Sequence, residues 1–235
     1  MAGKFLRGAL IELMPTQPIP LPNIIIFQFN PESITHAWTP AKADSDKADS
    51  HKANFDPLAV TGSPGETFDF TLAMDSNDMI ADGSPVAEGI ATVSGIYTRI
   101  AALEMLLYPT ADVTGGLLGT VSAALGGGAP AADSAVPANH LPTVLFVWGP
   151  GRIVPVVVTA LSFTETMYEP VLLNPIHAEA KITLRVLTPE ELKAVKGPLS
   201  DIANNAYKYS QGLREALALA NLANAAESAI GMLPV

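Results

Sequence analysis

Two stretches of strict two-residue alternation limit what this chain can fold into. From Glu66 to Asp75, Phe68, Phe70, Leu72 and Met74 fall on one face and Thr67, Asp69, Thr71 and Asp75 on the other. Further on, Ala178, Ala180, Ile182, Leu184 and Val186 alternate with His177, Glu179, Lys181, Thr183 and Arg185. A period of two marks a strand with one dry face. Burying the four large side chains of the first stretch yields at most roughly 6–12 kcal/mol, whereas ordering its backbone costs on the order of 10–20 kcal/mol. Such strands need a sheet and a core behind them.

Residues 4–13 and 23–29 have strand composition and flank a proline-laden link, Pro15–Pro22, which cannot donate to a ladder and reads as a loop or edge. Asn30-Pro31 breaks the second of these strands, and Ile34–Trp38 starts a third. A hairpin joins Thr143–Trp148 to Arg152–Met167 through Gly149-Pro150-Gly151. Between these, Val86, Ile90, Val93, Tyr97, Ile100 and Leu107 lie on one helical face of Pro85–Leu107, with Ser84 as N-cap and Pro85 at the first helical position. Thr188-Pro189-Glu190-Glu191 reads as a capping box opening a short helix, with Lys196-Gly197-Pro198 as its stop. From Leu199 to Ile230 a second stripe, Ile202, Ala206, Tyr209, Leu213, Leu217 and Ala220, predicts a docked amphipathic helix.

The expected class is therefore mainly β with added helices (α+β): an antiparallel barrel or sandwich with one packed helix and a C-terminal amphipathic helix. Residues 1–190 read as the β domain, with insertions near 41–65 and 110–140, and residues 191–235 as a helical extension. Ala41–Phe55 mixes Lys and Asp without an apolar period, and Thr110–His140 is dominated by Gly and Ala.

Composition narrows the function. Hydrophobic residues make up 49% of the 235 and charged ones 15%, so part of the surface is expected to be covered by partners. The net charge is −10 with Lys and Arg scattered, which leaves nothing to track phosphates and predicts no nucleic-acid partner. Absence of cysteine excludes disulfides and cysteine-based metal or redox sites. Glu12 interrupts the only apolar stretch near the start, so no signal peptide is expected. No run reaches a membrane span of roughly 18 apolar residues, and the expected location is the cytoplasm.

No constellation for catalysis emerges. His36, His51, His140 and His177 have no metal-ligand spacing, so no metal is expected, nor any cofactor. Gly62-Ser63-Pro64-Gly65 lacks the G-x-S-x-G spacing of a nucleophile elbow, and the glycine clusters at Gly126-Gly127-Gly128 and Gly149-Pro150-Gly151 lack phosphate-loop context. Asp75, Asp78, Glu165 and Glu169 read as solvated strand ends. Phe29-Asn30-Pro31 reads as a strand-terminating turn in which Asn30 bonds its own backbone, and equally as the support of a loop that meets a neighbouring subunit.

An ordered set of short runs carries a resemblance. Gly8-Ala9-Leu10-Ile11-Glu12-Leu13 is followed by Phe27-Gln28-Phe29-Asn30-Pro31-Glu32-Ser33-Ile34 and Ala102-Leu103-Glu104-Met105-Leu106-Leu107-Tyr108-Pro109. Next come the run Leu145–Val156 around Trp148-Gly149-Pro150-Gly151-Arg152, then Leu173-Asn174-Pro175-Ile176-His177-Ala178 and Leu184-Arg185-Val186-Leu187. Together, over most of residues 4–190, these resemble the contractile injection system tube protein family: baseplate adaptors similar to phage tail tube proteins that connect spike to tube. The LysM module that often follows the domain in that family is not expected here.

The resemblance implies a tail-tube-like barrel that closes into a ring of copies, with sixfold symmetry, as a tube initiator. Its partners would be the spike hub, inner tube and baseplate or sheath subunits of a contractile particle, and its role structural rather than enzymatic. Candidate interface residues are Phe29, Asn30, Pro31, Trp38, Trp148, Arg152, Asn174 and Pro175. The polar faces Thr67, Asp69, Thr71, Lys181, Thr183 and Arg185 are the candidate lumen wall. The alternatives are a lipocalin-type ligand-binding barrel, a hydrolase using Ser63 or a carboxylate, and an ordinary inner-tube subunit.

Overall fold

A computed structural model of the chain describes residues 6–13, 22–43, 58–77, 94–108, 141–195 and 198–232. The class is the expected one, a mainly antiparallel β protein with helices. Strands β1 (Ala9–Leu13), β2 (Pro22–Ile26), β3 (Ile34–Thr39), β6 (Gly65–Asp75), β7 (Thr143–Val147), β8 (Ile153–Tyr168) and β9 (Pro175–Val186) form a seven-stranded sheet in the order β2-β1-β7-β8-β9-β6-β3. Two short strands, β4 (Lys42–Ala43) and β5 (Val60–Thr61), pair separately. The helices are α1 (Tyr97–Met105), α2 (Pro189–Leu192) and α3 (Pro198–Met232). The Ser84 cap, the first half of its helix, the Lys196-Gly197 stop and the Gly/Ala insertion lie outside the described residues.

The sheet curls until its two ends meet. In a flat sheet β2 and β6 would be five spacings, or about 24 Å, apart. Gln28 lies two residues beyond β2, a reach of about 7 Å. Yet its side-chain amide donates to the Asp75 carbonyl (2.7 Å) and its Oε1 accepts from the Asp75 N–H (3.0 Å), at the end of β6. Phe27 and Phe70 rings sit 5.6 Å apart across the same gap. The end of β2 thus meets the far end of β6, the stagger that closing a sheet into a barrel requires. Among the described residues no ladder joins β2 to β3, so the side chain of Gln28 stands in for a strand at the seam.

Alternation fills the interior. Phe68, Phe70, Leu72 and Met74 of β6 and Ala178, Ala180, Ile182, Leu184 and Val186 of β9 are all buried, as read from their period. They meet Leu10, Phe27, Val144, Phe146, Val154, Val156 and Val158 in one core. β8 is longer than its partners and changes phase midway. A register shift between Val158 and Ala160 moves the inward positions from Val154, Val156 and Val158 to Leu161 and Phe163, as a bulge does.

Of the sequence stripes, Ile100 in α1 and Ala206 in α3 are buried as expected, but both helices turn a neighbouring edge of the stripe inward. In α1 the buried residues are Ile100 and Leu103, flanked by Ile96 and Leu106, while Tyr97 and Leu107 are exposed. The cause is the helix entry. Gly95 takes φ +56 hard against Pro175, where an added Cβ would lie 2.4 Å from the carbonyl oxygen, and Ile96 N–H donates to that carbonyl (3.2 Å). In α3 the buried residues are Ala203, Ala206 and Ser210, whereas Ile202, Tyr209 and Leu217 are exposed. Small side chains let this helix approach β8 closely, and Ser210 Oγ accepts from Ile153 N–H (3.1 Å) and donates to its carbonyl (2.7 Å).

Substituting Gln28→Ala removes both bonds at the seam and leaves the Asp75 backbone groups to water. A loss of about 1–3 kcal/mol is expected, read as a lower denaturant midpoint with unchanged m-value. Gln28→Glu should not restore it, since a carboxylate faces the Asp75 carbonyl.

Candidate assembly surfaces

Asn30 does not bond its own backbone. Its Oδ1 accepts from Gly8 N–H (2.9 Å) and its Nδ2 donates to the Leu6 carbonyl (2.9 Å), so it ties the lead-in of β1 to the turn after β2. Gly8 lies under the rings of Phe27 and Trp148, where an added Cβ would come within 2.7 Å of both. The Phe27–Pro31 run is thus a stitch: Phe27 in the core, Gln28 on β6, Asn30 on β1. Phe29 remains 41% exposed and Pro31 half-buried.

Trp38 and Arg152 gather around one charged cluster, and the Trp148 backbone N–H donates to the Arg152 carbonyl beside it (2.8 Å). Glu66 occupies the inward face of β6 at 3% exposure, one alternation before Phe68. His36 Nε2 lies 2.8 Å from Glu66 Oε1, and Arg214 of α3 pairs with both carboxylate oxygens, Nη1 at 3.0 Å from Oε2 and Nη2 bonded to Oε1. The Arg214 guanidinium covers the Trp38 ring at 4.9 Å, and that of Arg152 covers Phe68 at 5.1 Å. His36 stacks on Phe68 at 4.4 Å. Burial lowers the Arg152 pKa, with Glu66 opposing and Arg214 adding to the shift. Among the described residues the Arg152 guanidinium makes no hydrogen bond, and Glu66 pairs with Arg214 and His36. Trp148 is half-buried against Phe27 and Phe146. Trp38 is 47% exposed.

Asn174 and Pro175 stand apart from this cluster. Pro175 is buried and its carbonyl seats α1, while the Asn174 carbonyl accepts from Glu169 N–H (2.9 Å). Their place in the fold is to anchor a helix and a hairpin turn, so Pro175 presents no side chain to a partner.

The candidate lumen residues form one continuous face. Thr67 pairs with Arg185, Asp69 with Thr183 and Thr71 with Lys181, three successive rungs across β6 and β9. Thr183 Oγ1 donates to Asp69 Oδ1 (2.6 Å). Thr35 and Ala37 of β3 and Ser162 of β8 extend this face on either side. Arg185 turns to Glu191 (2.7 Å), the residue that completes the capping box of α2 with Thr188. The apolar outer face of β1 and β7 is covered from within the chain, since Ile11, Leu145 and Val147 pack on Ala206 of α3, while Ile24 and Ile26 of β2 stay 52% exposed.

The polar groups considered for chemistry are dispersed. Ser63 hydrogen-bonds to Tyr207, whose pKa burial raises. Asp75 pairs loosely with His177 (3.7 Å), and Glu169 accepts from the N–H groups of Val171 and Leu172 (2.9 and 2.6 Å). Among the described residues no group of three or more His, Cys, Asp or Glu has metal-binding geometry. His51, His140 and Asp78 fall outside them. No described helix is long and apolar enough to cross a membrane. Compared with known proteins, the chain matches no family model and no curated protein.

Two functional residues escaped sequence reasoning, Glu66 and Arg214. Glu66 had a signal, since it continues the even-numbered apolar face of β6. Arg214 had none, because its partner lies 148 residues away.

Two outcomes follow from these ion pairs. Arg214→Ala should strip Glu66 of its main partner and release α3, so hydrogen exchange over Ala203–Arg214 should rise at least ten-fold while the β9 amides stay protected. Burial opposes ionisation of Glu191, but the Thr188 N–H and Arg185 override it and lower its pKa. A carboxylate with a depressed folded-state pKa adds stability above its unfolded pKa and loses it as pH falls through the folded one. Stability of Glu191→Gln should therefore fall less steeply below the ordinary carboxylate range than that of the parent.

Proposed function

We propose that this chain is a non-enzymatic structural subunit of a contractile, phage-tail-like particle. In this reading it is a ring-forming baseplate adaptor or tube initiator, joining a spike hub to an inner tube and assembled in the cytoplasm. The observation that carries this reading is the divided outer surface of a filled barrel. The interior is packed with rings, Phe146 stacked on Phe70 and tilted against Phe68. Two hollows among the described residues, of about 230 Å³ beside Trp148 and about 280 Å³ beside Tyr207, are open to solvent and lie outside the core. That disfavours the lipocalin alternative, which needs a ligand chamber. Ser63 bonded to Tyr207, with no base described beside it, gives the hydrolase alternative no support.

A protein whose interior is closed works through its surface, and this surface has two chemistries. The Thr-rich face of β3, β6, β9 and β8 suits a water-filled channel. The exposed isoleucines of β2, Ile24 and Ile26, suit burial against a neighbour. Copies would extend one another's sheets at the β2 and β3 edges, satisfying backbone groups that otherwise invite uncontrolled pairing. The order of short runs resembling the contractile injection system tube proteins supports the same reading.

Light scattering and negative-stain microscopy, on the protein alone and mixed with the products of neighbouring genes, test this. Rings, or rings that form only with a spike or tube partner, are expected. A chain that stays monomeric with every partner and binds an apolar dye would overturn the reading in favour of a ligand-binding barrel.

A further inference from the structure

The two ends of β8 carry opposite chemistry. At its far end the β8–β9 turn projects from the barrel with Met167, Tyr168, Val171, Leu172 and Leu173 all at least 51% exposed. This tip is built to hold its shape. The Glu169 carboxylate accepts from the N–H groups of Val171 and Leu172, and the Glu169 carbonyl accepts from Leu173 N–H (2.9 Å). Met167 and Leu173 both take φ 57, a left-handed conformation that bulky residues rarely adopt. Around the tip stand the carboxylates of Glu165, of Glu169, which also holds the turn, and of Asp75, which pairs loosely with His177. A rigid apolar knob with an acidic collar is poorly suited to solvent and well suited to a partner.

At its near end β8 begins beside the aromatic and guanidinium patch: Trp38 exposed, Trp148 half-buried with its backbone N–H on the Arg152 carbonyl, the Arg152 guanidinium with no hydrogen bond among the described residues, and Arg214 sharing Glu66 with His36. Trp and Arg together are the composition of interface hot spots. The patch is aromatic and cationic where the tip is aliphatic and acidic. In a chain of net charge −10, a surplus of guanidinium on one patch is a local reversal, and another copy of the same chain supplies the matching carboxylates.

We infer that the β8–β9 tip of one copy docks on the Trp38–Trp148–Arg152 patch of another, joining copies head to tail. The two surfaces are separated by the full length of β8, so one chain cannot satisfy both itself. The contact is heterologous, and such contacts generate closed rings or stacked rows according to the rotation between copies. It rests on the assembly reading above but adds a polarity to it, with one end of each copy a plug and the other a socket.

Complementary blocking tests the inference on the full chain. A plug-blocked variant, Leu172→Asp with Leu173→Asp, alters only exposed positions. A socket-blocked variant, Arg152→Gln, leaves the core intact, and Trp38→Ser serves as a second socket block should Arg152→Gln fail to fold. By sedimentation velocity the parent should associate in a concentration-dependent way, and each blocked variant alone should lose at least ten-fold in association constant. A one-to-one mixture of the two should recover a complex of one copy of each, because one intact plug and one intact socket remain. Raised salt should weaken it. Parent assemblies that persist unchanged in both variants would overturn the tip-to-patch contact while leaving the ring reading standing. A parent that stays monomeric at all concentrations, or a mixture that fails to recover the complex, would overturn the contact as well.

Discussion

Everything else in this structure depends on the seam that Gln28 closes. An antiparallel sheet of seven strands has two edges, each a row of unpaired backbone groups. Bringing the end of β2 against β6 converts an open sheet into a curled one, and only then do Phe27, Phe70, Phe146 and Trp148 come within ring contact of one another. A carboxamide does this well because it offers a donor and an acceptor in the same spacing as a backbone amide, and Gln28 uses both on Asp75. Asn30 repeats the device one step further on, with its donor on Leu6 and acceptor on Gly8. Two neighbouring amide side chains therefore fix both the closure and the entry of the first strand, and Gly8 is required because the rings they assemble leave no room for a Cβ.

With the interior given over to rings, polar specificity moves to the rim of the core. Glu66 is the one carboxylate taken deep into the inward face of β6, and it is met by His36 from β3 and Arg214 from α3. A buried ion pair contributes little net stability compared with apolar packing of the same volume. What it supplies is register: α3 can slide along a surface of alanines with small loss, but only one position lets Arg214 reach Glu66 while Ser210 meets Ile153. Small residues give closeness, and the polar contacts choose the position.

The parts of this fold that were legible from sequence are those governed by local period. The β6 and β9 faces follow directly from their alternation, the β7–β8 hairpin from its glycines, and α2 from its capping box. What was illegible depends on partners far along the chain. Asn30 reads locally as a turn residue because its short amide reaches its own backbone so easily, yet here the stronger offer comes from Gly8 and Leu6. Helix phase was only partly legible for a related reason. The apolar stripes of α1 and α3 are broad, and which edge of a broad stripe faces inward was set by Gly95 against Pro175 and by Ser210 against Ile153. The extent of β8 follows from its hairpin, but the register shift between Val158 and Ala160 that reverses its second half has no local signal. Of the candidate surfaces, the six polar residues on β6 and β9 came together as paired rungs because alternation and antiparallel pairing guarantee it, whereas Trp38 meets Arg214 and Trp148 meets Phe27 through contacts far apart in sequence.

The distribution of charge sharpens the case for a surface that works by contact. Only 15% of residues are charged, and several of the described ones are already committed within the chain: Glu66 to Arg214 and His36, Arg185 to Glu191, Glu169 to its own turn. A freely diffusing monomer keeps apart from its neighbours by solvated charges spread over its exterior. Here the exposed isoleucines of β2, the exposed distal α3 leucines Leu217, Leu219 and Leu222 and the β8–β9 tip carry little of that protection. Left bare they would drive indiscriminate association, and the strained, hydrogen-bonded construction of the tip would be an unexplained cost. If neighbours cover them as proposed, the same features become coherent: rigid apolar contacts lose little entropy on docking, and charges of opposite sign at the two ends of β8 would select the orientation.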